Sequence, residues 1–149
     1  MVFVSLVGTG GGGCQRKCGL VSAAENQWGR PTVDLNNAIQ KHAEWKFKFR
    51  NALHANETLD AGAISKDNNC ELGKWLHGEA KTLYWKSAAY AKCIPDHAAF
   101  HVEAGKVAAA VNARKKDDAE RLMSSGFAFA EASKRVGISI IELKNEIRA

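Results

Sequence analysis

Proline is nearly missing from this chain: Pro31 and Pro95 are its only two examples in 149 residues. Most of the sequence is thus free of the strongest helix breaker. A strand signal is missing as well, since no stretch of useful length after residue 20 alternates apolar with polar. No apolar run approaches the roughly 18 residues of a transmembrane helix. The opening "MVFVSLV" lacks a basic flank and runs into glycines, so it reads as neither signal peptide nor span. A cytoplasmic protein without a membrane partner is the expectation. Cysteine is sparse, with Cys14, Cys18, Cys70 and Cys93, and in a cytosolic setting these suit metal ligands or free thiols better than disulfides. The net charge of +5 is not gathered into a block. Basic residues sit beside acids, as in "RKKDDAER", which describes solvated helix faces rather than a nucleic-acid surface.

What is present falls into two parts. Residues 1–31 contain "GTGGGGCQRKCG", which cannot build a core element and reads as a flexible tail or linker. It lacks the Lys-Ser/Thr of a phosphate loop, and no second pair completes a metal site with Cys14 and Cys18. Residues 32–149 read as helical. Asp34 is a plausible N-cap after Pro31, and Leu35, Ala38, Ile39, His42, Trp45, Phe49 and Leu53 then recur at spacings of three and four. "DNNCELGKWLHGE" suggests a cap, a short helix and a stop at Gly78. Pro95 suggests the start of a further helix through "HAAFHVEAGKVAAAVNA". The segment 117–149 carries Leu122, Phe129, Val136, Ile140, Leu143 and Ile147 at near-helical spacing, which Gly126 and Gly137 weaken without necessarily breaking. The expected fold class is all-α: a small, four-helix-bundle-like domain with a short extra helix carrying Cys70.

The chemistry-bearing residues are few. His97 and His101 stand four apart, so on a helix both imidazoles share one face. His42 lies on the apolar face of the first helix. One buried histidine is usually satisfied by its neighbours, but two on one face need two sets of partners, and a single cation resolves both. Cys70, at the start of a short helix, adds a soft donor where the helix dipole favours a thiolate. Three imidazoles and a thiolate make a closed tetrahedral zinc set with no position left for a catalytic water. Inward Glu-x-x-His pairs for iron and an H-E-x-x-H for a zinc protease are both lacking.

"HAEW" at 42–45, "CELGKW" at 70–75 and "HAAFH" at 97–101 resemble the three motif blocks of the chemoreceptor zinc-binding (CZB) domain family. The order, the two intervening gaps and the residue types all agree, over roughly residues 33–145. The resemblance implies a zinc site of His42, Cys70, His97 and His101, with Trp45, Leu72, Gly73 and Trp75 at packing positions. It also implies a small helical bundle that often forms homodimers and a role in sensing zinc or, as in some members, oxidants such as hypochlorous acid, the latter through Cys70. Family members accompany bacterial chemoreceptors and diguanylate cyclases, in chemotaxis or cyclic-di-GMP signalling. His54, His77 and Cys93 match no ligand position and read as bystanders. No cyclase domain and no long heptad hairpin is recognisable, so the output is expected from sequence outside this chain or from a separate partner. The function expected is a non-enzymatic zinc-binding sensory domain. The alternatives are a purely structural zinc-stabilised dimerisation module and a zinc hydrolase, which would need Cys70 far from the histidines.

Overall fold

The computed structural model describes residues 32–148; the tail expected over residues 1–31, with Cys14 and Cys18, lies outside the described residues. Asp34 caps the first helix as its position suggests, its carboxylate accepting from the amides of Asn36 (2.9 Å) and Asn37 (3.3 Å). Helix α1 (Leu35–Ala43) and α2 (Trp45–Ala55) follow, divided at Glu44. Leu35, Ala38, His42 and Phe49 are buried, with Ile39, Trp45 and Leu53 partly so, which is the stripe expected from their spacing. A short α3 (Ala61–Ile64), a 3-10 turn (Asp67–Asn69), α4 (Glu71–His77) and α5 (Glu79–Leu83) then lead to two long helices, α6 (Ala88–Asn112) and α8 (Ala128–Arg148), joined through α7 (Lys116–Leu122). The described residues contain no strand. The domain is an all-α helical bundle.

Two expectations about boundaries fail. Pro95 does not begin a helix but lies inside α6, which starts at Ala88. Ser87 provides the true start, its hydroxyl accepting from the Tyr90 amide at 2.9 Å. Pro95 lies on the exposed side of the helix, where water can satisfy the carbonyl left without its amide partner. Gly126 does interrupt the last segment: its φ of +86° is a left-handed conformation that glycine adopts without cost, and the chain turns there between α7 and α8. Gly137 is accommodated within α8.

Helices α6 and α8 form the most extensive pairing, α1 packs on α8, and α2 and α3 pack on α6. Phe49, Phe100, Val107, Met123, Val136 and Ile140 fill the interior between them. Along the outer seam of α6 and α8, Asp96 pairs with Ser139, and Lys92 with Glu142 at 2.7 Å. The loop before α3 is tied to the end of α6: Asn112 accepts from the Leu59 amide (2.8 Å) and donates to its carbonyl (2.7 Å). From that anchor α3 and the 3-10 turn pack along α6, and the chain reaches Cys70 beside the histidines.

Candidate metal centre

The four residues singled out as donors converge. His42, Cys70, His97 and His101 each offer one ligand atom, and all four atoms lie within 4.8 Å of one another. Three elements supply them: α1 gives His42, α6 gives His97 and His101 one turn apart, and the junction of the 3-10 turn with α4 gives Cys70. His97 Nε2 is 3.2 Å from His42 Nε2 and 3.2 Å from Cys70 Sγ. Donors at zinc bond lengths define a tetrahedron with N–N edges of roughly 3.3 Å, so these separations suit one shared ion.

The tautomers point the same way. His42 Nδ1 is 2.6 Å from the Ala38 carbonyl, and His101 Nδ1 is 2.7 Å from that of Ile64. A carbonyl only accepts, so each Nδ1 carries the proton and each Nε2 faces inward as a bare lone pair. His101 Nε2 is buried without a hydrogen-bond partner. An inward lone pair with no donor costs free energy unless a cation takes it. Burial also keeps the imidazoles neutral: His42 is held down at about 4 by desolvation, which outweighs the opposing pull of the Ala38 carbonyl, and His97 at about 2 by desolvation and then by the repulsion that its own protonation would meet from the neighbouring histidines. His101 is lowered as well, again chiefly by burial. Neutral imidazole is the form that binds metal.

Cys70 departs in part from its expected chemistry. It does cap α4, its sulfur accepting from the Gly73 amide at 3.2 Å. Yet burial pushes the thiol up, outweighing the amide contacts, and the Asp67 charge adds to the rise. The short helix alone therefore does not ionise Cys70, whereas a bound cation would.

The packing positions divide. Leu72 and Gly73 are buried beneath the turn. A Cβ on Gly73 would sit 1.6 Å from the Asp67 carbonyl oxygen, so α4 and the 3-10 turn approach too closely there for any side chain. Trp45 packs on Phe49 and lines a cleft of about 290 Å³ together with Lys41, His42, Lys48 and Cys70. Trp75 instead packs at a tilt against Tyr84 and lines a second cleft with Glu71, Lys74 and Glu79. Phe100, not singled out from sequence, closes the centre from within the core, its ring 5.1 Å from that of His42 and 5.4 Å from that of His101. The carbonyls of Ala38 and Ile64 are further parts that no side-chain motif reveals. His77 is not among the four donors, as expected, but its Nε2 lies 2.7 Å from Asp67. Cys93 is buried apart from the four donors, its thiol pushed up to about 12 by burial and then by Asp96.

Among family models, that of the chemoreceptor zinc-binding domain matches residues 42–108, which run from the first donor to just past the last. No curated protein and no solved structure matches the chain.

Proposed function

From the premise that residues 42–108 form a chemoreceptor zinc-binding domain, we propose that this chain is a non-enzymatic sensory module in which His42, Cys70, His97 and His101 hold zinc and Cys70 gives the response. The observation that carries the reading is an asymmetry among the donors. The three histidines are buried on long or core-packed helices, whereas Cys70 is half-buried on a short turn; the 290 Å³ cleft reaches both Cys70 and His42, and Cys70 is the more exposed of the two. Bound zinc would hold the sulfur as a thiolate. Hypochlorous acid entering the cleft would take that sulfur to a sulfenic acid, with chloride leaving (RS⁻ + HOCl → RSOH + Cl⁻). The oxidised sulfur is a poorer donor, so the ion is left on three imidazoles from which a chelator removes it more readily, and the 67–77 segment is released from its anchor. Four protein donors leave no position for a reacting water, which supports a non-enzymatic role.

The output partner fitting this reading is a chemoreceptor or a diguanylate cyclase, and a second copy of the chain is the near partner. Val102 on α6 and Ile138 and Ile141 on α8 are exposed aliphatic side chains on the two longest helices, and they support a homodimer. The competing reading is a structural, zinc-stabilised dimerisation module. Zinc release to a chromogenic chelator, followed with circular dichroism under graded hypochlorous acid, separates the two. Release of zinc with retained helix content supports the sensor. Tight retention of zinc until the whole domain unfolds supports the structural module.

A further inference from the structure

The three imidazoles of the centre are not supported alike. His42 and His101 each turn Nδ1 to a main-chain carbonyl. His97 has no such carbonyl: it is wholly buried, and its Nδ1 has no hydrogen-bond partner. Among the described residues the one carboxylate within reach is that of Asp67, whose Oδ2 lies 4.0 Å from that nitrogen. The same oxygen is 2.7 Å from Nε2 of His77, which is partly exposed on the last turn of α4.

We propose that Asp67 is a positioning residue for the metal, its carboxylate accepting the Nδ1–H of His97 when Nε2 faces the ion, with His77 bracing the carboxylate from the solvent side. The inference rests on the zinc reading of the four donors. Its first support is the orphaned nitrogen. If Nε2 gives its lone pair to a cation, the imidazole proton must sit on Nδ1, and a buried N–H without an acceptor is costly. Its second support is local geometry. Asp67 stands in the 3-10 turn three residues before Cys70, and its main chain is pressed against Gly73, where an added Cβ would also come within 3.1 Å of His97 Cε1. The turn and the His97 ring therefore both crowd the same face of Gly73, and a side-chain rotation of Asp67 closes the remaining gap of about 1 Å without moving the backbone. Its third support is charge. A divalent cation with one thiolate leaves one positive charge in a buried place, and a single carboxylate balances it. His42 and His101 receive only neutral carbonyls, so Asp67 is the one charged support of the centre. It also joins the two responsive parts, since its main-chain oxygen lies 3.6 Å from the Cys70 sulfur.

Long-range ¹H–¹⁵N correlation of the imidazoles in the zinc-loaded chain tests the hydrogen bond before any substitution is made. The expected result is Nδ1-protonated His97 with a slowly exchanging proton; a His97 protonated on Nε2, or an Nδ1 proton exchanging freely, overturns the proposal. Asp67→Ala should abolish that protected resonance, leave those of His42 and His101 in place, and weaken zinc binding roughly 10–100-fold in chelator competition. Asp67→Asn keeps an acceptor oxygen and should recover the resonance. His77→Ala should weaken zinc less than Asp67→Ala does. Unchanged zinc affinity in Asp67→Ala overturns the role of Asp67, and unchanged affinity in His77→Ala overturns the brace. A wild-type chain that takes up no zinc overturns the metal reading itself, which is a different failure from a wild-type that binds zinc only as tightly as Asp67→Ala.

Discussion

Cys70 and the histidines should respond differently to removal. Cys70 sits on a turn outside the long helices, so Cys70→Ala is expected to weaken zinc binding while circular dichroism shows most helix retained. His97→Ala or His101→Ala should cost more of both, because each opens a hole in the buried centre and leaves inward lone pairs without their cation. Equal loss of helix in all three variants would contradict this order. Thiol reactivity supplies a second residue-scale test. Cys93 is buried with its thiol raised to about 12, so it should resist alkylation in the native protein with or without metal. Cys70 should be alkylated after metal removal and protected by zinc, as read by peptide mass mapping; modification of Cys93 in folded protein would contradict the packing described. The donors were legible because histidine and cysteine are scarce here and their spacing matches helical geometry and a known motif. Asp67 and His77 were not legible. No pattern in "KDNNCELGKWLHGE" tells that a 3-10 turn will aim a carboxylate at one histidine of another helix while a second histidine, ten positions on, holds it.

Among the elements, the junction of the 3-10 turn with α4 has the least tolerance. Gly73→Ala would force a Cβ against the Asp67 carbonyl, and backbone cannot retreat as a side chain can. The variant is expected to lose tight zinc binding because Cys70 and Asp67 both move with the turn; wild-type zinc affinity would show that the turn shifts without disturbing either. Gly137 gives the opposite result. It lies inside α8 with nothing within 4 Å of an added methyl, so Gly137→Ala should raise stability by about 0.5–1 kcal/mol through the smaller entropy lost on folding, measurable by urea denaturation. The same segments show where sequence reading of the fold succeeds and stops. The first helical stripe is visible because six apolar positions and His42 repeat it. Helix α6 is misjudged at its start because Pro95 is a strong local signal, while the actual determinants are a serine cap eight residues earlier and a solvent-facing side for the proline. Gly126 and Gly137 look alike in sequence; only the backbone shows that one sits at a left-handed turn and the other in a helix.

At the scale of the whole molecule, the metal centre links α1, α6 and the 67–77 segment, so proton and metal binding to its donors are both coupled to folding. In the metal-stripped protein His42 and His97 have pKa values of about 4 and about 2, against the ordinary 6.5 of an unfolded chain. The unfolded state therefore takes up protons first as pH falls. Stability from these two groups is fully present above pH 6.5 and declines below it; His42 stops contributing to the slope near pH 4, and His97 near pH 2. His101, lowered in the same direction, steepens the loss. Zinc raises the whole curve while the imidazoles are neutral, since it binds the folded arrangement and not the unfolded chain. Protons compete for the same Nε2 lone pairs, so that advantage should shrink across the same interval. Thermal unfolding of zinc-loaded and chelator-stripped protein, followed by circular dichroism over a pH series, checks both statements. The expected outcome is a stripped protein whose Tm is flat above pH 6.5 and falls steadily below it, with a zinc-loaded curve that lies higher at neutral pH and converges on it in acid. A stripped protein with constant Tm from pH 6.5 to 4 would mean that the imidazoles take up protons without unfolding, and the buried, neutral centre described above would be wrong.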